Sequence, residues 1–548
     1  MKVVEYLVDC LVLQGVTDVF GIPGGVVLDF LYALDRDRRI NVHLSYHEQG
    51  AAFEACGYAQ YQHKLGVAYA TRGPGFTNLI TGIADAYADS LPVLFITAHS
   101  GKTVGRHAQR FEKDQEMDTV SMVKHITKYS ATVEDAAFAC EAIQTALWCA
   151  MNGRKGPVFL DFFSGLWNEE IEISEITYKQ EAMEILPVKQ LAEALNQAKR
   201  PVLLAGDGIR QANAVQAFAE FCKKTTIPVL SSRCSQDVGA VSNNYYGYVG
   251  SHGIRYSNFI FAKADLIIAL GNRLGFPLES KSFNKALENK KIIRIDTDSD
   301  ELKRKIPNTK SFKCDVLAAI TMLTKSCVSI GNYTTWLRIC DVLKEKLKGF
   351  DTNEAVIQLA GIFKRLDPDI TICCDVGNNE FWVSRAYVEA GIKNRILYSK
   401  SFGALGCGLP KAIGAALASH KPILCIVGDQ GLQLNLQELQ LVTEEKIPVC
   451  VLVINNYSSG MIRSKEKTKY GGHYLHTTLQ SGYGLPDITA IAKAYNIQPL
   501  SEARAYPSIV ELFFDEDVEL EPSLPIGRDL QDMTPALPLA FYQTLNEM

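Results

Sequence analysis

Ile423-Leu424-Cys425-Ile426-Val427-Gly428-Asp429-Gln430-Gly431, followed by Val449-Cys450-Val451-Leu452-Val453-Ile454-Asn455-Asn456, decides the fold of this chain. Each stretch opens with an apolar run too short for a helix, which predicts a buried parallel strand. Between them Leu434, Leu436, Leu439 and Val442 recur at helical spacing, and Pro448 stops the pattern. This is a strand–helix–strand crossover. It carries Asp429 and Asn456, 27 residues apart (456 − 429), to the carboxyl ends of neighbouring strands, where open α/β sheets bind ligands. A carboxylate beside an amide carbonyl suits a hard divalent cation that keeps oxygen ligands and bridges phosphates. Taken alone, the same residues also read as two ordinary surface loops.

Outward from this unit the pattern repeats. Near the start, Val4, Leu7, Val8 and Leu11 form a helical stripe closed near Gly15, and Val19-Phe20 begins a strand. Val67 to Thr71, Val93 to Thr97 and Val158 to Phe162 are further strand candidates, so the first 165 or so residues read as a parallel α/β domain. A polar stretch near 167–188 predicts a linker. Pro201 to Ala205, Leu266 to Leu270 and Ile292 to Ile295 predict a second α/β unit. There Gly206-Asp207-Gly208 lacks the third glycine of a dinucleotide fingerprint and reads as a tight turn. A charged, strand-poor segment from about 325 to 355 predicts a second linker, and the third unit runs on to about 520.

Composition excludes several classes. The 548 residues exceed one ordinary core. A hydrophobic share of 47% with 21% charged residues describes a soluble globular protein. A net charge of −5 gives no electrostatic reason for nucleic-acid or membrane partners, and no apolar run approaches the roughly 20 residues needed to span a bilayer. Fourteen scattered cysteines without a Cys-x-x-Cys pair support neither a zinc site nor a disulfide framework. With no signal-peptide pattern at the start, they predict a cytoplasmic protein.

Two motifs carry a family resemblance. Gly428-Asp429-Gln430-Gly431 with Asn455-Asn456 resembles the diphosphate and metal motif of thiamine diphosphate (ThDP)-dependent enzymes, departing only at Gln430, where Gly is usual. His47-Glu48-Gln49-Gly50-Ala51-Ala52 resembles the His-Glu-Gln-Gly-Ala-Ala motif of the acetolactate synthase branch. Position 51 is Ala, so the His four residues on that a zinc helix needs is missing. Other segments fall in order with that branch: Gly21-Ile22-Pro23-Gly24-Gly25, Thr71-Arg72-Gly73-Pro74-Gly75-Phe76-Thr77-Asn78, Gln115-Glu116-Met117-Asp118-Thr119-Val120, Asp375-Val376-Gly377-Asn378-Asn379 and Gly403-x-x-Gly406-x-Gly408-Leu409-Pro410.

The resemblance implies three Rossmann-like parallel-sheet domains: pyrimidine-binding (1–166), central (187–325) and diphosphate- and Mg²⁺-binding (356–520), with a C-terminal tail (521–548). It implies that Glu48 activates ThDP by hydrogen-bonding N1′ of the aminopyrimidine. Gln115 and Gly25 would stand at the reacting centre. Asp429, Asn456 and the Ser458 carbonyl would hold Mg²⁺. Pro23, Thr71, Asn78, Gly377, Asn378, Asn379, Gly403, Leu405, Gly428, Gln430, Gly431 and Leu434 would line the cofactor, with Leu405 wedging it into a bent shape. It also implies a homodimer or homotetramer, because centres in this family draw on two subunits.

The substrate side departs from true acetolactate synthases. Lys465 stands where they have a specificity-setting tryptophan, Arg72 replaces a serine, Lys400 a glycine, and Asp114 a phenylalanine. Three basic substitutions suggest an anionic carbonyl acceptor for the fragment taken from a 2-oxo acid, most simply pyruvate. A solvated helix face explains Arg463, Lys465, Lys467 and Lys469 equally well. Arg273-Leu274-Gly275-Phe276-Pro277 replaces the Arg-Phe-Asp-Asp-Arg stretch of flavin-containing relatives, so FAD is possible but not favoured. Alternatives are a non-ligating 2-oxo acid decarboxylase, disfavoured by the lack of a His-His pair, and a flavin-linked pyruvate oxidase.

Overall fold

The computed structural model describes residues 1–101, 115–180, 182–275, 285–325, 331–500 and 506–548. It contains three six-stranded sheets. The first has the spatial order Asn41–Leu44, Asp18–Gly21, Gly66–Tyr69, Val93–His99, Val158–Phe163, Tyr129–Val133. The third, from Ile396–Tyr398 through Thr371–Cys374, Ile423–Gly428, Val449–Asn455 and Ser508–Phe513 to Gln498–Leu500, repeats the same order of chain connections. The middle sheet differs. It runs Thr309–Lys313, Lys291–Asp296, Leu266–Leu270, Pro201–Ala205, Val229–Ser231, Tyr245–Tyr248, a doubly wound order that reverses at its first strand. The expected crossover is present. Strands Ile423–Gly428 and Val449–Asn455 pair in parallel with Gly428 opposite Ile454, so Asp429 and Asn455 emerge at one level.

The helix expected across Leu434 to Val442 is broken. Helix Asp429–Leu434 stops, a 3₁₀ turn covers Leu436–Glu438, and a new helix runs Leu439–Glu444. Asn435 leaves the helical conformation (φ −136°, ψ 33°), and its amide donates to the Gly406 carbonyl at 2.9 Å. A tertiary hydrogen bond outcompetes the local periodicity.

The residues group into two compact units. One comprises Met1–Gln180, Asp369–Asn379 and Leu397–Glu516; the other comprises Glu181–Pro368, Glu380–Ile396 and Asp517–Met548. The first unit holds the first and third sheets, which meet through helices Glu48–Gln62 and Gly408–Ser419. Glycines permit this contact. A Cβ on Gly57 would lie 2.1 Å from the Lys411 carbonyl oxygen, and one on Gly414 would lie 1.9 Å from that of Glu54. That explains the small-residue composition of the segment after Glu48.

In the second unit the segment expected as a linker near 325–355 contains helix Thr334–Leu347. It buries Trp336, Cys340, Leu343 and Leu347 every three to four residues. The expected boundary at 356 falls inside helix Glu354–Phe363, which groups with this unit. The C-terminal tail is fastened by buried arginines: Arg255 donates to the carbonyls of Met533 and Pro535, and Arg385 to those of Glu521 and Pro522. Gly206 and Gly208 pack against Gly271 and Asn272, where a Cβ would lie 2.0 to 2.6 Å from their backbone. Among the described residues no disulfide forms, and no helix is long and apolar enough to cross a membrane.

Candidate active site

Two clusters of functional side chains form in the first unit. The first surrounds Glu48. His47 caps helix Glu48–Gln62 by accepting the Gln49 N–H at 3.0 Å, which puts Glu48 in the first turn. Helix Pro74–Asp89 begins nearby with Pro at its first position, and Asn78 donates to Glu48 Oε2 at 2.9 Å. A Cβ on Gly75 would lie 3.2 Å from Glu48 Oε1. The carboxylate therefore sits between two helix N-termini. It is half-buried in the single chain, while Pro23 and Gly25 are exposed.

Glycines shape the rim. A Cβ on Gly24 would lie 2.4 Å from that of Thr71, so Gly24, rather than the open Gly25, is the position of closest approach. Gly73 has φ +60°, and a Cβ there would meet Gln115. Gln115 is exposed at the rim, itself with φ +64°. Arg72 pairs with Glu116 at 2.9 Å and donates to Ser100. Its charge is therefore already balanced. Asp114 and Phe276-Pro277 lie outside the described residues.

The second cluster gathers at the carboxyl ends of the third sheet. Asp429 Oδ1 accepts from Tyr483 at 2.8 Å and from the Gln430 N–H at 2.7 Å. Its other oxygen, Oδ2, is buried without a hydrogen-bond partner. Burial pushes the Asp429 carboxyl up to about 6, against the Tyr483 hydroxyl and the Gln430, Asn456 and Tyr457 N–H groups, the last two of which approach it without forming a well-directed hydrogen bond to Oδ2. Asn378 and Asn456 converge, since a Cβ on Gly460 would lie 2.5 Å and 3.0 Å from their amide nitrogens. Asn378 Oδ1 is also buried and unpartnered. Asn456 donates to Ser458 Oγ at 3.2 Å, and Asn379 packs 2.9 Å from a Cβ on Gly428. Gly377 has φ +104°, a turn that side chains resist. Gln430 is exposed, as are Leu405 and Leu434.

Sequence reasoning missed several supports. Asp375 accepts the Gly406 and Gly408 N–H groups, each at 3.1 Å, and fills the niche left by Gly431, where a Cβ would lie 2.2 Å from its Oδ2. Burial raises its carboxyl to about 6. Tyr483, which orients Asp429, lies 54 residues away in an irregular segment without a motif. Lys400 is only partly exposed, and Lys465 is exposed on helix Gly460–Lys469. Among the described residues no hydrogen bond or ion pair joins the Glu48 cluster to the Asp429 cluster.

A carboxylate held at helix N-termini and an oxygen-rich cluster at sheet ends, on two sheets of one topology, define a cofactor-dependent α/β enzyme of the diphosphate-binding class. Comparison with known proteins identifies the family. Residues 1–122 match the thiamine pyrophosphate enzyme N-terminal TPP binding domain, 188–323 its central domain, and 375–513 its C-terminal TPP binding domain. The acetolactate synthase large subunit of Lactococcus lactis subsp. lactis (strain IL1403) is 31% identical, over 95% of this chain and 93% of its own length. The acetolactate synthase isozyme 2 large subunit of Escherichia coli (strain K12) is 31% identical, over 91% and 90%. The probable acetolactate synthase large subunit of Methanocaldococcus jannaschii is 30% identical, over 91% and 87%. The chain belongs to the thiamine pyrophosphate enzyme family.

Proposed function

We propose that the chain is a ThDP- and Mg²⁺-dependent carboligase of the acetolactate synthase type. It would decarboxylate a 2-oxo acid, most simply pyruvate, and transfer the remaining fragment to a second carbonyl compound. The observation that carries the metal and diphosphate half is the pair of buried, unpartnered oxygens, Asp429 Oδ2 and Asn378 Oδ1, beside Asn456. Buried polar atoms without partners cost free energy unless a ligand satisfies them. One carboxylate with amide and carbonyl oxygens, and no cluster of three His, Cys, Asp or Glu among the described residues, fits a hard cation that also binds diphosphate oxygens. Asp429, Asn456 and the Ser458 carbonyl would hold Mg²⁺. Gly377, Asn378, Asn379, Gly428, Gln430 and Gly431 would face the diphosphate.

When bound, ThDP supplies a nucleophilic carbon that cleaves the bond between a 2-oxo acid's carboxyl and carbonyl carbons. Glu48 would hold a proton at the pyrimidine N1′, with Asn78 fixing its orientation. Thr71, Pro23 and Gly403 would position the pyrimidine, Leu405 and Leu434 would pack on the ring system, and Gln115 and Gly25 would meet the substrate. Glu48→Gln should slow exchange of the thiazolium hydrogen for deuterium by at least about a hundredfold, the usual worth of a positioned acid–base group. Product identification by NMR with labelled pyruvate separates ligation from simple aldehyde release.

An anionic acceptor is part of the proposal through Lys400 and Lys465; at Arg72 it would have to displace Glu116. A flavin is possible but not favoured, given the departure at Arg273-Leu274-Gly275-Phe276-Pro277, and colourless purified protein would support that reading. We also propose that a second copy completes each centre, in a dimer or dimer of dimers. Leu28, Tyr32, Val42 and Tyr46 of the first domain are exposed, as are Phe402, Leu405, Leu434 and Phe513 of the third. Apolar side chains gathered in this way mark association surfaces. A cleft of about 830 Å³ bounded by Pro23, Leu28, Tyr32, Val42, His43 and Glu445 contains neither Glu48 nor Asp429 and belongs to that surface. Sedimentation velocity tests the assembly, and a cytoplasmic location completes the reading.

A further inference from the structure

Between the two sheets of the first unit lies a charge cluster that the motifs do not include. Asp85 and Asp89, one turn apart on helix Pro74–Asp89, face Lys411 of helix Gly408–Ser419. Lys411 Nζ lies 2.6 Å from Asp85 Oδ2 and 3.8 Å from Asp89 Oδ2, and all three side chains are buried to 1% exposure or less. Replacing such buried ions with apolar packing is often neutral or stabilising, so net stability is a poor reason to keep them. Their second set of contacts gives a better one. Asp89 accepts the Lys400 N–H at 2.7 Å and the Ser401 N–H at 2.8 Å. Asp85 accepts the Ser399 hydroxyl at 2.7 Å, and Ser399 Oγ in turn accepts the Gly403 N–H at 3.0 Å.

The far end of the same loop is tied separately. Gly406 and Gly408 donate to Asp375, and Asn435 donates to the Gly406 carbonyl. Only the middle stands clear: Phe402 and Leu405 are exposed, and Gly403, at φ +69°, has open space where a Cβ would be. The loop is thus clamped at both ends and presents its middle.

We infer that Asp85, Asp89 and Lys411 are positioning residues, acting through Ser399 and the Lys400 and Ser401 amides to hold Gly403 and Leu405 where the cofactor's pyrimidine is received. The assignment rests on the proposed ThDP site. It also ties the helix that carries Asn78, and so orients Glu48, to the loop that carries Gly403.

The test separates the two ends of the cofactor. Binding of thiamine diphosphate with Mg²⁺, and of inorganic diphosphate with Mg²⁺, is measured by calorimetry on the full-length protein. Asp89→Asn keeps the shape but leaves one loop N–H without an acceptor. It should weaken thiamine diphosphate about tenfold while Mg-diphosphate changes by less than about twofold, with faster amide exchange across 400–406. Ser399→Ala keeps all three charges and should show the same split, which covers a poorly folding Asp89→Asn protein. Parallel loss of both ligands, or no loss of either, overturns the positioning role. Wild-type protein that binds no thiamine diphosphate overturns the site reading beneath it.

Discussion

Glu54→Gln should flatten the alkaline side of the stability curve. Glu54, on the helix that begins at Glu48, and Glu438, on the 3₁₀ turn of the third sheet, are both fully buried and are charge neighbours. Glu54 Oε2 also accepts from Ser45 at 2.6 Å, and Glu438 Oε2 accepts the Tyr46 N–H at 3.1 Å. Gly50 admits the contact, since a Cβ there would lie 2.2 Å from Glu438 Oε1. Burial raises Glu438 to about 7; burial and the adjacent Glu438 carboxylate raise Glu54 well above the usual range. Glu54 therefore holds its proton to a higher pH in the folded state than in the unfolded chain. A carboxyl whose folded pKa is raised contributes stability at low pH and loses it as pH rises. The loss is about 1.4 kcal/mol per pH unit for one proton. Glutamine keeps the shape and has nothing to titrate. Urea denaturation of both proteins at half-unit steps from pH 6.5 to 8.5 should give a variant-minus-wild-type difference that grows with pH, by up to about 1.4 kcal/mol per unit. Parallel curves across that range would refute a raised Glu54 carboxyl.

Other expectations follow from the same geometry. His43 is raised to about 9 because Asp18 and Glu445, at 2.9 and 2.7 Å, outweigh the lowering effect of burial. Its ion pairs contribute fully below about pH 6.5 and fade as pH rises through 9, so His43→Gln should lower stability by on the order of 2 kcal/mol at pH 6 and far less at pH 9.5. Tyr483→Phe leaves Asp429 without its hydroxyl donor and should weaken Mg²⁺-dependent cofactor binding by about tenfold in calorimetry. Gly57→Ala drives a methyl into the Lys411 carbonyl and should cost about 2 kcal/mol or more in thermal unfolding. Lys465→Trp should lower turnover with dicarboxylic or phosphorylated acceptors more than with pyruvate alone; equal effects on both would count against an anionic acceptor.

Strong local signals were legible in the sequence. The apolar runs ending at Gly428 and Asn455 became neighbouring parallel strands, as expected, because a strand buried on both faces must be apolar throughout. Glu48 and Asp429 stood out because short motifs mark turns at strand ends, where backbone and side chain are set by neighbours in the chain. Signals failed where tertiary contacts decided. Thr334–Leu347 looked like a charged linker because its buried stripe is narrow, yet Trp336 and Leu343 anchor it. The break at Asn435 depends on Gly406, 29 residues earlier.

The chain's own order of residues determined the strands, the turns and the chemical types placed at their ends, since these depend on spacing and local sterics. Tertiary structure alone decided which distant groups meet. Tyr483 on Asp429, Glu438 on Glu54, and Asp85 and Asp89 on Lys411 are pairs hundreds or dozens of residues apart. Their energies exist only once water is excluded, and no periodicity records that exclusion.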